Sequence, residues 1–334
     1  MSSTTTIRRH AFEVELEPLL GSTFQPTGFP DLGAATFDRP VPGSPGTTTR
    51  CMIVESVQSM ANRLEATGWD DGAHTPVEAI TGLPYVEVRS PAGEFLTSSR
   101  LEPHRLFSAY VRDAQWNGRL GDQVLVERLG LAPDVPLDYQ AMAAAVMAMD
   151  PLSLLHGVFF AGSSKVDKKR GTWHAQPRFT RAVSAVIEAS DVYEVASGGR
   201  KSDIVRHSLG DGTDGGAAEG YGSVPFHRME YTAATIQASF VVDVQLLASY
   251  GLPQAATDLL ETLALWEIRQ LLDGGLRLRT ACDLVVKGEI TTKTGTALPS
   301  ADELATRLRT AIDPSADVLG EGKAISVVWE KGKK

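Results

Sequence analysis

Twice along this 334-residue chain the hydrophobic period switches from 2 to about 3.6 and back again, and that alternation constrains the fold more than any other feature. Phe12, Val14 and Leu16 alternate with Glu13, Glu15 and Glu17, which predicts a half-buried strand. Ile53, Val57, Met60, Ala61 and Leu64 then recur on one helical stripe, with Glu55, Ser56, Gln58, Ser59, Asn62 and Arg63 on the opposite face. Leu83–Arg89 reads as the next strand, with Pro84 at its start. In the second half, Glu230–Val244 has β character. A strong helix follows through Leu259, Leu260, Leu263, Trp266, Ile268, Leu271 and Leu272, ending at Gly274. Leu276 and Leu278 then alternate with Arg277 and Arg279. Stripped of insertions the order is β-α-β, β, β-α-β. This predicts an α+β fold of the RRM or ferredoxin-like kind, an antiparallel sheet with helices on one face. Such a fold serves many functions and decides none.

Between these units the pattern is less regular. Gly21–Thr49 is rich in Gly, Pro and Thr and reads as irregular. Residues 97–180 read as a mostly helical insertion, with Leu101–Tyr110 and Tyr139–Met149 as its helices. Leu154–Phe160 and Arg181–Val195 read as strands. Eight glycines fall within 197–224, which predicts an extended or mobile loop. Ala301–Ile312 reads as a short helix and Ala324–Trp329 as a strand. No linker divides the chain, so residues 1–334 are expected to form one domain with insertions.

Composition narrows the function classes. The longest apolar run, Ala141–Met149, is far too short to span a bilayer, and Met1–Thr6 begins no secretory signal. Two cysteines, Cys51 and Cys282, make neither a disulfide framework nor a four-cysteine zinc site, as expected in a reducing cytoplasm. Net charge is −9, yet Lys165, Lys168, Lys169, Arg170, Arg178 and Arg181 crowd one window against Asp167 alone. Such a window is either a local anion site or a solvated loop. Trp173, His174 and Phe179 lie among its cations, the mixture of charge and planar groups that single-strand binders use.

Enzyme signatures are missing. There is no phosphate loop, zinc helix or nucleophile elbow, and Gly220-x-Gly222 fails the dinucleotide pattern at Pro225. No cofactor or metal is expected, and the seven histidines are unpaired at helical spacing. Binding features are present instead. Ser22–Pro30 offers small donors with Phe24 and Phe29, either to approach phosphates and stack bases or to anchor a loop to the core. Arg277 and Arg279 either line a phosphate track or pair with acids, Asp283 among them.

Several segments carry a resemblance. Gly21-Ser-Thr-Phe-Gln-Pro-Thr-Gly-Phe-Pro-Asp-Leu-Gly33, Val54-Glu-Ser-Val-Gln-Ser-Met-Ala-Asn-Arg-Leu64, Leu83-Pro-Tyr-Val86 and Glu102-Pro-His-Arg105 resemble the backbone subunit of the type I-G (formerly I-U) CRISPR Cascade. So do Asp150-Pro151 with Leu154-Leu-His-Gly-Val-Phe-Phe160, Gly222-Ser-Val-Pro-Phe-His-Arg228 and Leu276-Arg-Leu-Arg-Thr-Ala-Cys-Asp283. The blocks run in order from about residue 15 to 285, and the last fifty residues match least.

The resemblance implies a non-catalytic, cytoplasmic protein of the Cas-seven superfamily, with an RRM-like palm and a thumb, for which the glycine-rich 197–224 is the candidate. Copies would polymerise head-to-tail along a CRISPR RNA and hold it for pairing with target DNA, beside other Cascade subunits and a helicase-nuclease. Motif membership and chemistry together nominate Gln25, Ser56, Asn62, Arg63, Arg277 and Arg279 as RNA-binding residues. Lys168, Lys169, Arg170, Arg178 and Arg181 are nominated on charge alone. The competing expectation is a metal-independent endoribonuclease on the same fold, with His104, His156 or His227 as general base.

Overall fold

The computed structural model describes residues 7–29, 31–132, 135–160, 177–201, 208–209, 213–214 and 224–330. In chain order the palm comprises β1 (His10–Pro18), β2 (Thr36–Pro40), β3 (Thr48–Glu55), α1 (Val57–Ala66), β4 (Val183–Ser190), β5 (Thr235–Val242), α2 (Gln254–Gly274), β6 (Leu276–Arg279) and β7 (Cys282–Thr294). Its seven strands lie in the order β6-β7-β1-β5-β4-β3-β2, with every neighbouring pair antiparallel. The central four, β7-β1-β5-β4, follow the 4-1-3-2 order of a ferredoxin-like sheet, with α1 and α2 as the two crossover helices.

Alternation places the core. His10, Phe12, Val14 and Leu16 of β1 turn inward, as do Ile236, Ala238, Phe240 and Val242 of β5 and the odd residues of β4 from Val183 to Ala189. Met60 and Leu64 of α1 and Leu260, Leu263 and Ile268 of α2 are buried in the same core. Each large apolar side chain so buried contributes about 1.5–3 kcal/mol. Ser56 caps α1, its hydroxyl accepting from the Ser59 amide at 3.3 Å. Gly275, at φ 84°, ends α2 one residue beyond the expected Gly274.

Several sequence expectations change. Ile53 and Glu55 belong to β3, and α1 begins only at Val57, because Ile53 and Glu55 pair with Glu188 and Ile187 of β4 across a bulge at Val54. The second crossover strand is Val183–Ser190, whereas Tyr85–Arg89 joins a separate five-stranded sheet, pairing in parallel with Ala324–Val328. Helix in the region after residue 97 comes in short pieces: Gly121–Arg128 and Tyr139–Met147 are the longest among the described residues, and Leu101–Tyr110 is turn followed by a 3-10 helix, Arg105–Phe107, before the four-residue helix Ala109–Arg112. Leu154–Phe160 divides between the end of helix Leu152–His156 and the two-residue strand Val158–Phe159, because Gly157 at φ 81° turns the chain.

Gly21–Thr49 likewise holds more strand than expected: Gly28–Phe29, Gly33–Ala34, β2 and the start of β3. The hairpin joining β4 to β5 is drawn out into a two-stranded ribbon, Tyr193–Lys201 against Val224–Thr232. The described ends of the glycine-rich segment are therefore strand, and most of its middle lies outside the described residues. Among the described residues no helix is long and apolar enough to cross a membrane.

Candidate nucleic-acid interface

A cleft of about 680 Å³ opens where the start of α1 meets the strand pair Val158–Phe159 and Arg178–Phe179. Gln58, His104, Arg105, Arg178, Thr180 and Arg181 line it. Its floor is built from buried charge. Arg105 adopts φ 48°, an uncommon conformation for a non-glycine residue, and both arms of its guanidinium reach Glu65 at 2.6 Å. The remaining Arg105 nitrogen donates to Gly157 O at 3.0 Å. Gly157 in turn packs against the backbone of 179–181 so closely that a Cβ there would stand 2.8 Å from Phe179 O.

Arg181 is the electrostatically exposed member of this site. Burial, and next the like charge of Arg105, hold its guanidinium below the ordinary arginine range, with Glu65 pulling weakly the other way. Its Nη2 donates to Gln58 Oε1, while its buried Nε has no partner among the described residues. An anion entering the cleft would relieve that imbalance, and α1 carries no acid in its first turn to compete for it. Arg178 stands exposed at the rim.

A second groove, about 550 Å³, runs between Gln25–Gly28 and the foot of the ribbon at Arg228, Met229 and Tyr231. Phe24 is fully buried and exchanges backbone hydrogen bonds with Tyr231 at 2.9 and 3.0 Å, so this ring anchors the loop to the core. Arg279 donates to Gln25 O at 3.0 Å and to Val54 O at 3.2 Å, and pairs with Glu55. Arg63 approaches the same buried carboxylate at 3.5 Å, and burial lowers its pKa. At the ribbon's foot Glu230 accepts from Thr23 at 2.7 Å and from Arg228 at 2.6 Å. Those bonds, that from Thr23 foremost, hold it below the usual carboxylate range.

The nominated residues thus fall into groups. Arg178 and Arg181 meet in the first cleft, and Gln25 and Arg279 meet in the second groove. Arg63 and Arg277 flank a shallow hollow of about 240 Å³ at the end of α2, with Arg277 exposed. Asn62 is exposed on α1, and Ser56 is occupied as its cap. Lys168, Lys169 and Arg170 lie outside the described residues. Sequence reasoning left out Gln58 and Arg105 as cleft-lining groups and Arg228 as a groove-lining one. All three sit inside segments that carried the resemblance.

The open side of the palm sheet is a poor platform for phosphates. It presents Glu13, Glu15, Glu17 and Glu188, and its lysines are already engaged: Lys287 with Glu15 at 2.8 Å and Lys293 with Glu13. No aromatic ring of β1, β4, β5 or β7 faces that side, so the central strands lack the stacking surface that an RRM-like sheet suggests, and Phe37 of the edge strand β2 is the aromatic that the open side presents. Of the histidines, His156 is fully buried against Glu267 at 2.8 Å, His104 lies at the cleft rim, and His227 is exposed on the ribbon. No cluster of three or more metal-ligating side chains occurs among the described residues.

Comparison with known proteins adds family to geometry. No curated protein matches the sequence. A solved structure described as a CRISPR RNA-guided surveillance complex, pre-nicking, is similar over 94% of this chain and 87% of that chain, with 13% identity and a TM-score of 0.39. The sequence model of the CRISPR-associated protein GSU0053 family matches residues 11–194, more than half of the chain. On that match, which takes in β1, α1, the Arg105 loop and both arginines of the cleft, the chain belongs to the CRISPR-associated protein GSU0053 family.

Proposed function

We propose that this protein is a non-catalytic backbone subunit of a Cascade-type CRISPR effector of type I-G, gripping the guide RNA by its sugar–phosphate chain. The observation that carries the reading is the cleft between α1 and Arg178–Arg181, where two guanidinium groups stand over a buried ionic floor in a CRISPR-associated protein. Contacts to backbone rather than bases leave guide sequence unrestricted, so pairing with target DNA reads the sequence. Copies add head-to-tail, each presenting its cleft to the next stretch of RNA, with other Cascade subunits at the ends and a separate helicase-nuclease for cutting. The ribbon Tyr193–Lys201 with Val224–Thr232 serves as the thumb of a single palm domain. The acidic open face of the sheet stays off the RNA.

Co-expression with a CRISPR array tests this directly. Wild-type protein should purify with a 260/280 nm absorbance ratio well above that of protein alone. Arg178→Ala with Arg181→Ala should lose most of that nucleic acid and reduce the salt slope of rebinding by about two. Wild-type protein free of RNA would overturn the reading. Cleavage of labelled repeat RNA that disappears in His104→Ala would replace it with the endoribonuclease.

A further inference from the structure

Beneath the cleft, four ionisable side chains from four elements close on one another, none more than 4% exposed: Glu65 of α1, Arg105, His156 and Glu267 of α2. Arg105 meets Glu65 through two bonds of 2.6 Å, and His156 Nε2 meets Glu267 Oε2 at 2.8 Å. Arg100 and Asp150, also buried, act on the group from one side, and Arg181 does so from the cleft. Arg105 balances Glu65. The doubly protonated His156 ring is the hydrogen-bonded counter-charge of Glu267, with buried Arg100 acting on it through space, and His156 Nδ1 and Glu267 Oε1 have no hydrogen-bond partner among the described residues.

We propose that Arg105 and His156 are positioning residues for the cleft, and that the proton shared by His156 and Glu267 sets how firmly Arg178 and Arg181 are held. This rests on the RNA-binding reading and adds a regulation to it. The linkage is short. Arg105 donates to Gly157 O, and Gly157 follows His156 directly. Gly157 packs on 179–181, while Val158 and Phe159 pair with Phe179 and Arg178. Loss of the proton takes away the only cation hydrogen-bonded to Glu267 among the described residues and leaves it to the through-space charge of Arg100, and the segment that yields is the one carrying the cleft's arginines.

The direction with pH follows from the same groups. Burial would strip the His156 proton, but Glu267 and then Glu65 retain it, so the imidazole titrates above its ordinary 6.5. Burial likewise pushes the Glu65 carboxyl up. At these two groups the folded state therefore holds protons to higher pH than the unfolded chain does. The stability contributed by His156 is fully present below about 6.5 and is lost as pH rises through the raised value.

The test uses the full chain with two readouts from about pH 6 to about pH 9: the thermal midpoint without RNA, and the affinity for a fluorescent repeat RNA. The wild-type midpoint should fall by about 3–5 °C across that range, and RNA affinity should weaken roughly tenfold with it. Both dependences should flatten in His156→Gln. Glu267→Gln keeps a hydrogen bond to a neutral imidazole and gives the same flattening if the first variant folds poorly. Arg178→Ala should lose affinity while keeping the wild-type midpoint curve. Equal midpoint slopes in wild type and both buried-pair variants would overturn the device whether or not RNA binds. Flattened midpoints with an unaltered pH profile of RNA affinity would overturn the positioning role. Wild-type protein with no RNA affinity at any pH would remove the RNA reading itself, and the positioning role with it.

Discussion

Arg277 and Arg279 stand two residues apart on β6, yet Arg279 folds back onto Glu55 and two backbone carbonyls while Arg277 remains in solvent. Their effects should separate accordingly. Arg279→Ala leaves the buried Glu55 carboxylate with Arg63 alone, and urea denaturation should show a loss of about 2–4 kcal/mol. Arg277→Ala should change stability by less than about 0.5 kcal/mol, and any change in the salt dependence of RNA binding belongs to it. The sequence alternation correctly turns Leu276 and Leu278 inward. It does not reveal that Glu55 lies within reach of Arg279. That carboxylate belongs to a segment whose apolar spacing reads as helix, and only pairing with β4 makes it strand. Phe24 of the Ser22–Pro30 loop is ambiguous in the sequence for a similar reason. Phe24 could stack a base until its contact with Tyr231, over two hundred residues away in sequence, fixed it as an anchor.

Among the elements, the ribbon buries little: Tyr231 is its one buried apolar side chain among those described, and Tyr193, Phe226 and Met229 are exposed. Gly198 lies so close to the facing strand that a Cβ would stand 2.6 Å from Phe226 O, and the Phe226 ring covers Gly199 at 2.9 Å from where its Cβ would be. Gly198→Ala should therefore pry the two strands apart without disturbing the palm. Limited proteolysis should show faster cutting between residues 193 and 232, while the main thermal transition stays within about 2 °C of wild type. Composition pointed to a loop here because glycine lacks strand propensity. The ribbon forms because it prolongs the register of β4 and β5, which no local window contains. The crossover helices were the most legible elements, since a long apolar stripe such as that of Leu259–Leu272 has few alternatives to burial against a sheet.

For the whole molecule, charge is segregated by side. The open face of the sheet is acidic, and the candidate cleft with its arginines lies where α1 meets the Arg178–Phe179 pair. Neutralising the face with Glu15→Gln, Glu17→Gln and Glu188→Gln together should leave RNA affinity within about threefold, whereas the same number of changes at Arg105, Arg178 and Arg181 should abolish it. Fluorescence anisotropy at fixed ionic strength checks both. The ferredoxin-like order was legible because the period switches are strong. The identity of its second strand was not. Leu83–Arg89 has better local β character than its position suggests, and it is claimed by a sheet whose middle strand lies more than two hundred residues downstream.

That middle strand has a consequence for synthesis. Ala324–Val328 sits between Tyr85–Arg89 and Gln115–Trp116, so the smaller sheet cannot close until residue 328 has left the ribosome, more than two hundred residues after its first strand. Until then the nascent chain carries Tyr85–Arg89 with one side unzipped, a template for the wrong neighbour on a polysome crowded with identical chains.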